Sequence, residues 1–413
     1  MVTTFYPPFS FGGDGMCVYR LSTALAERGH RVDVFHSEDA YRLQHPSDPE
    51  TRFAEHPNVT RRPLRSRWPL LSALATYQSG SPSAYRAQMR DLLCGEHYDV
   101  IHYHNVSLMG GPGILREGRA AKLYTAHDYW LVCPTHVLFT FNREACTIRR
   151  CVRCTIHAKR PPQLWRHTSL LSECVRHVDR FLMPSRFALE RHKAAGIDVP
   201  MTILPNFVPP LSGDNTQEPV AKRPFFLFVG RLEKLKGVQD LIELFRDYPH
   251  ADLLVVGDGG YRKKLEALAR SVECVKFVGL VHPSRIGAYY RQAIAVLVPS
   301  LCYEVFPLIP AESLIQGTPV ITRRIGALTE VVEQSGGGFT FSSLDECKVA
   351  MEQLRVDSGL RREIGERGRA TAASLWTTDI HLDRYLAIVD EVLDQRRQAQ
   401  PGAAAPADSA TLK

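Results

Sequence analysis

The sequence predicts an α/β protein built as two doubly wound domains with parallel sheets. Three observations carry this. Short β-branched or aromatic runs alternate with amphipathic helical stretches, the mark of βαβ units. The runs are near-continuously apolar, as strands buried on both faces are. A proline-rich break then divides the 413-residue chain near its middle.

In the first half the strand candidates are Val32–Phe35, Asp99–Tyr103, Lys122–Thr125, Phe181–Met183 and Thr202–Leu204. The second half offers Phe225–Val229, Asp252–Val256, Val275–Val278, Ala295–Val298 and Pro319–Thr322. Between the first turn and the first of these runs, Gly15–Gly29 places Val18, Leu21, Leu25 and Ala26 on one helical face and stops at a glycine. Pro205–Pro224 holds five prolines with Ser, Gly, Asn and Asp, the composition of a linker. Only Met1–Phe5 precede the turn at Tyr6-Pro7-Pro8, short for a buried strand, so the natural start is expected upstream.

Hydrophobic residues make up 44% and charged residues 23%, the balance of a globular protein with sizeable cores. No run of 18 apolar residues occurs, which excludes a membrane-spanning helix of the usual kind. Met1–Gly13 lacks a basic region followed by an apolar stretch, so no secretory signal is expected and the setting reads as cytoplasmic. Ten cysteines are too sparse for a disulfide scaffold.

The net charge of +7 is unevenly spread. Residues 1–210 carry 26 basic and 18 acidic side chains, and the remainder 25 and 26. Residues 143–193 alone hold 12 basic against 4 acidic. The excess reads either as a solvated Arg-rich surface or as the mark of a negatively charged partner, an acidic acceptor or an anionic membrane surface met peripherally at its inner face. No nucleic-acid motif accompanies it, and no nucleic-acid partner is expected.

Ligands of doubly wound folds bind beyond the carboxyl ends of the strands, where helix N-termini face anions. Gly12-Gly13-Asp14-Gly15 holds that position after the first strand. Neither it nor Gly257-Asp258-Gly259-Gly260 completes a dinucleotide fingerprint, and no Walker A pattern occurs. Gly230-Arg231 and Lys236-Gly237 follow the Phe225–Val229 run, where two cations can neutralise a departing diphosphate without a metal ion. Glu304 and Glu312, separated by seven residues around a helix start, are placed to accept hydrogen bonds from sugar hydroxyls.

The order of these elements resembles the family 4 retaining glycosyltransferases of the GT-B fold. The matching residues include Tyr6-Pro7-Pro8 with Gly12-Gly13, Thr125-Ala126-His127-Asp128, Pro184-Ser185-Arg186, Val229-Gly230-Arg231 with Lys236-Gly237, Val298-Pro299-Ser300, Glu304 with Glu312, and Gly326 with Glu330. The likeness runs from residue 1 to about 397.

What the resemblance implies is a sugar transfer from a nucleotide-diphosphate sugar (UDP-, GDP- or dTDP-linked) to an acceptor hydroxyl. Retention and no catalytic metal go with it. The acceptor is a glycan, a lipid carrier or a secondary metabolite. Gly12, Gly13 and Gly230 would line the diphosphate, with Arg231 and Lys236 stabilising its charge as it leaves. Glu312 would bind ribose. Glu304 would reach the transferred sugar, Phe306 and Leu308 would be among the nucleotide-sugar contacts, and His127 would face the sugar across the cleft. Residues 1–207 would form the acceptor-side domain and 208–377 the donor domain. A helix over 378–397 would cross back to the first domain, and 398–413 would be a disordered tail. The sequence departs from the family at Pro307, which has no N–H to offer the sugar. A catalytically inactive relative, or a basic binding protein on the same fold, is the alternative.

Cys133, Cys146, Cys151 and Cys154, spaced C-x12-C-x4-C-x2-C, mark an insertion over 133–160. Four thiols suit a structural zinc or iron–sulfur cluster, with disulfides or free thiols as the other readings. His102 and His104 share one side of a strand end and read as cleft lining rather than a zinc pair.

Overall fold

The computed structural model describes residues 1–399 apart from 46, 48, 50–52, 96, 97 and 210–217. Part of the linker and the tail from residue 400 therefore lie outside the described residues.

The first half contributes β1 (Val32–Ser37), β2 (Val59–Leu64), β3 (Val100–Tyr103), β4 (Ala121–Thr125), a hairpin of β5 (Phe139–Thr140) and β6 (Glu144–Ala145), β7 (Arg180–Met183) and β8 (Met201–Ile203). The main ladders are β1-β2 and β3-β4-β7-β8, all parallel. The N-terminal segment stitches them together. Val2 bridges Phe35 and Tyr103, its N–H donating to the His102 carbonyl at 2.8 Å while the Phe35 N–H donates to that of Met1 at 2.9 Å. The short first run thus occupies the middle of the sheet, where its turn delivers the next helix to the cleft.

The second half forms β9 (Phe225–Val229), β10 (Asp252–Val256), β11 (Val275–Gly279), β12 (Val296–Val298), β13 (Val320–Arg323) and β14 (Gly338–Phe341). Their order is β11-β10-β9-β12-β13-β14, fully parallel. The order reverses between β9 and β12, so the loops after these two strands open a crevice at the sheet's carboxyl edge. Strands β2 and β14 were not among the expected runs. Both are edge strands, and Val59-Thr60-Arg61-Arg62-Pro63-Leu64 exposes its arginines with only its ends buried. An edge strand covered on one side does not show the continuous apolar run of a central one.

The helix Thr378–Ala399 packs on the first half through Leu382, Tyr385, Ile388 and Val392, which join Val18, Leu21 and Leu123 in one core. Arg28 pairs with Asp379 at 3.2 Å, Arg180 with Glu391 at 2.8 Å and Arg396 with Asp179 at 2.8 Å. Among the described residues no helix is long and apolar enough to cross a membrane.

Candidate active site

The first wall of the crevice is set by the helix Gly13–Glu27, which begins two residues earlier than its apolar periodicity suggested. Gly12 is its N-cap in extended backbone, so Gly12 and Gly13 present a helix N-terminus toward the other half. A Cβ on Gly13 would stand 4.0 Å from Leu308 Cδ1, which places this helix start directly opposite the helix Leu308–Ile315.

On the far wall, the loop after β9 runs back against the loop after β12. Gly237 has φ +77°, and a Cβ there would come within 2.1 Å of the Pro299 carbonyl oxygen, so only glycine lets the two loops touch. That contact brings Lys236 to Glu304. Lys236 Nζ lies 2.7 Å from Glu304 Oε1, and Ser300 Oγ donates to the same oxygen at 3.0 Å. Burial pushes the Lys236 ammonium down, but the adjoining Glu304 carboxylate outweighs it and the net direction is up. Burial likewise pushes Glu304 up, while Lys236 and the Ser300 hydroxyl pull it below the usual carboxylate range. Both stay charged at neutral pH.

Glu312, one helix turn beyond Leu308, accepts a hydrogen bond from the Tyr290 hydroxyl at 2.8 Å. Burial raises its carboxyl above the ordinary value, with Tyr290 and Arg20 opposing. Arg231 is exposed and pairs with Glu233 at 3.2 Å. Gly230 has φ +152°. The Phe306 ring is buried against Trp376, centroids 5.8 Å apart. Pro307 is the N-cap of the Leu308 helix.

His127 follows β4 on the first wall. Its Nε2 lies 2.9 Å from His104 Nδ1, and its Nδ1 is buried with no protein partner among the described residues. Burial lowers His127 despite Asp14 and Asp128, and lowers His102 and His104 as well, so all three are neutral at physiological pH. His102 bonds Thr125 Oγ1 at 2.8 Å and Tyr385 at 3.2 Å, tying the C-terminal helix to the cleft.

Sequence reasoning missed the polar chain beneath this wall. Asn105 Nδ2 donates to Asp14 at 3.1 Å and to Asp128 at 3.3 Å, and Asp128 holds His136 Nδ1 at 2.7 Å. It also missed Tyr129, whose hydroxyl donates to the Glu304 carbonyl at 3.1 Å and links the two walls. Asp128 and Tyr129 adjoin His127 in sequence, the only signal available; the other partners come from separate loops. Glu330 makes a second link, its carboxylate accepting from the Arg186 and Phe187 N–H groups at 2.9 and 3.0 Å.

The four insertion cysteines form no disulfide. Among the described residues, no group of three or more His, Cys, Asp or Glu stands where it could hold a metal ion. Cys133 Sγ is instead 3.3 Å from Thr135 Oγ1, and Cys146 Sγ faces the Ile148 carbonyl at 3.7 Å. Cys151 lies near Cys133 and Cys146, and burial together with these neighbours raises its thiol above the ordinary value.

Two family models divide the chain between them. The model described as Glycosyltransferase Family 4 matches residues 11–210, and that described as Glycosyl transferases group 1 matches residues 214–371. The chain belongs to the family 4, group 1 glycosyltransferases. It is similar to a glycogen synthase of Mycobacterium tuberculosis, 28% identical over 92% of this chain and 91% of that one. A D-inositol 3-phosphate glycosyltransferase of Acidothermus cellulolyticus is 33% identical over 42% of each chain. Among solved structures, a sucrose-phosphate synthase of Thermosynechococcus elongatus superposes with a TM-score of 0.71 at 20% identity, covering 97% of this chain and 99% of that one. Anabaena HepE in complex with UDP-glucose gives 0.63 at 16% identity, covering 96% and 99%. The fold of this glycosyltransferase is GT-B, with two parallel-sheet halves facing a cleft.

Proposed function

We propose that this glycosyltransferase moves a sugar from a nucleotide-diphosphate donor to an acceptor hydroxyl with retention of configuration, using protein cations in place of a catalytic metal. The observation that carries the reading is the half-buried Lys236–Glu304 pair, on the wall whose Leu308–Ile315 helix faces the Gly13 helix start and carries Glu312. A diphosphate entering here meets Lys236, Arg231 and the N–H groups of the Gly12–Gly13 turn, so charge on the leaving group is stabilised as the glycosidic bond breaks. Glu312 takes the ribose hydroxyls. As Lys236 turns to phosphate, Glu304 is released to the transferred sugar, and the buried His127 Nδ1 supports a further sugar contact. The leaving phosphate receives the acceptor proton on the same face, a route that needs positioning and charge stabilisation rather than a protein nucleophile.

In this reading residues 1–207 serve the acceptor, 208–377 the donor, and 378–397 tie the halves together. The first half also presents Trp68, Leu70, Leu71 and Leu74 at the surface, with Arg65 and Arg67 nearby, which supports peripheral contact with an anionic inner-membrane face.

A thermal-shift panel of UDP, GDP, dTDP and their sugar esters in EDTA tests the donor reading. Stabilisation by one nucleotide series names the base, and turnover in EDTA with the product anomer read by NMR tests retention. No response from any nucleotide would overturn it.

A further inference from the structure

We propose that the insertion after His127 builds a second anion site, which takes a phosphate or diphosphate group carried by the acceptor. The proposal rests on the glycosyltransferase reading above and names the acceptor's chemistry. A cavity of about 780 Å³ opens between the Leu131–Pro134 turn, the helix Cys151–His157 and the Pro162–His167 segment. Arg149, Arg150, Arg153, Arg166 and His167 line it, and no carboxylate does so among the described residues. None of these four arginines forms an ion pair among the described residues, unlike Arg28, Arg180 and Arg396 at the C-terminal helix. Like charges gathered around one concavity repel, and an anion between them removes that cost while each guanidinium fork matches a phosphate edge.

The site is built rather than a loose surface patch. Arg166 is stacked over the Trp165 ring at 4.3 Å and donates to the Leu131 carbonyl at 2.9 Å and to that of Trp130. It therefore braces the same loop that carries His127 and the Tyr129 link to Glu304. The insertion also reaches the donor side, where Lys234 Nζ donates to the Asn142 carbonyl at 3.1 Å. An acceptor held by its phosphate in this cavity has its hydroxyl end directed along the loop toward the cleft. Val152 at the wall and Leu164 beside it are largely exposed, a surface able to take an apolar chain attached to the phosphate.

The test is calorimetric binding of inorganic diphosphate and of geranyl diphosphate to the full-length protein. A background of Arg231→Ala with Lys236→Ala removes the donor-site cations, so binding there reports the cavity. We expect both probes to bind in that background, and the further change Arg149→Ala/Arg150→Ala/Arg153→Ala to weaken them about tenfold or more. The Arg→Lys triple keeps the charge but loses the forks, and its affinity falls between those of the parent and the alanine triple. On the wild-type background the alanine triple leaves nucleotide binding within about twofold. Equal affinity for the two probes assigns a soluble phosphate-bearing acceptor, and tighter geranyl diphosphate binding a lipid-carried one. Loss of binding on removing the donor cations alone, or binding indifferent to the arginine triple, overturns the site. Failure of every nucleotide to bind would instead strike the donor reading and leave the cavity result standing.

Discussion

Lys236 Nζ and Glu304 Oε1 stand 2.7 Å apart in a half-buried pair at the switch point of the second sheet. Each partner is the other's counter-charge, and in the proposed reaction each exchanges that partner for part of the donor. Removing either one leaves an uncompensated charge in the crevice, so stability and turnover are coupled here.

Lys236→Ala is expected to lower kcat by about 10²–10³ and to cost about 1–3 kcal/mol of stability, because Glu304 loses its main partner. Exposed Arg231→Ala lowers turnover by a similar factor with little change in Tm. Steady-state rates and thermal melts check both, and a wild-type rate in either variant refutes its assigned role.

Glu312 should show its raised pKa in the donor KM. Only the ionised carboxylate accepts both ribose hydroxyls, so KM for the nucleotide sugar climbs as pH falls through that raised value. Glu312→Gln flattens the profile and raises KM about tenfold at neutral pH with kcat less affected. An unchanged pH–KM profile in the variant counts against the ribose assignment.

Histidines buried in neutral form make the fold acid-sensitive. His36 and His381 are each lowered to about 4 by burial, from an unfolded value near 6.5. The unfolded chain binds protons first on acidification, so stability is lost as pH falls from about 6.5 toward 4. His36 lies between the Tyr6 and Phe9 rings with its Nδ1 unbonded among the described residues, and His36→Phe should reduce the loss of Tm across this window. An equal loss in the variant excludes His36 as a contributor.

Gly237→Ala is expected to destabilise by more than about 1 kcal/mol and to depress activity, since both the positive φ and the Pro299 carbonyl oppose a side chain. Chemical denaturation with parallel assay measures both. Full activity in this variant means that loop contact does not position Lys236.

Flotation with vesicles of phosphatidylglycerol tests the exposed Trp68–Leu74 surface. Trp68→Ser with Leu71→Ser should cut the bound fraction several-fold while leaving binding of a soluble nucleotide unchanged. No flotation of the wild-type protein with anionic vesicles ends the membrane reading.

The sequence by itself determined the two parallel α/β halves, because strands buried on both faces must be apolar along their length, as Phe225–Val229 and Asp252–Val256 are. It also marked the strand ends and helix starts that carry Gly13, Lys236, Glu304 and Glu312, because local patterns reveal such positions. Tertiary structure alone decided how these residues pair. Lys236 meets Glu304 across 68 positions, Tyr129 meets the Glu304 carbonyl across 175, and the His102–Tyr385 contact spans 283. No local periodicity encodes such pairs; they exist because parallel sheets bring their carboxyl-end loops to one edge. The same holds for the cysteines. Their spacing suggested one metal centre; among the described residues no group of three or more ligands stands where it could hold a metal ion, and the same segment gathers arginines around a cavity.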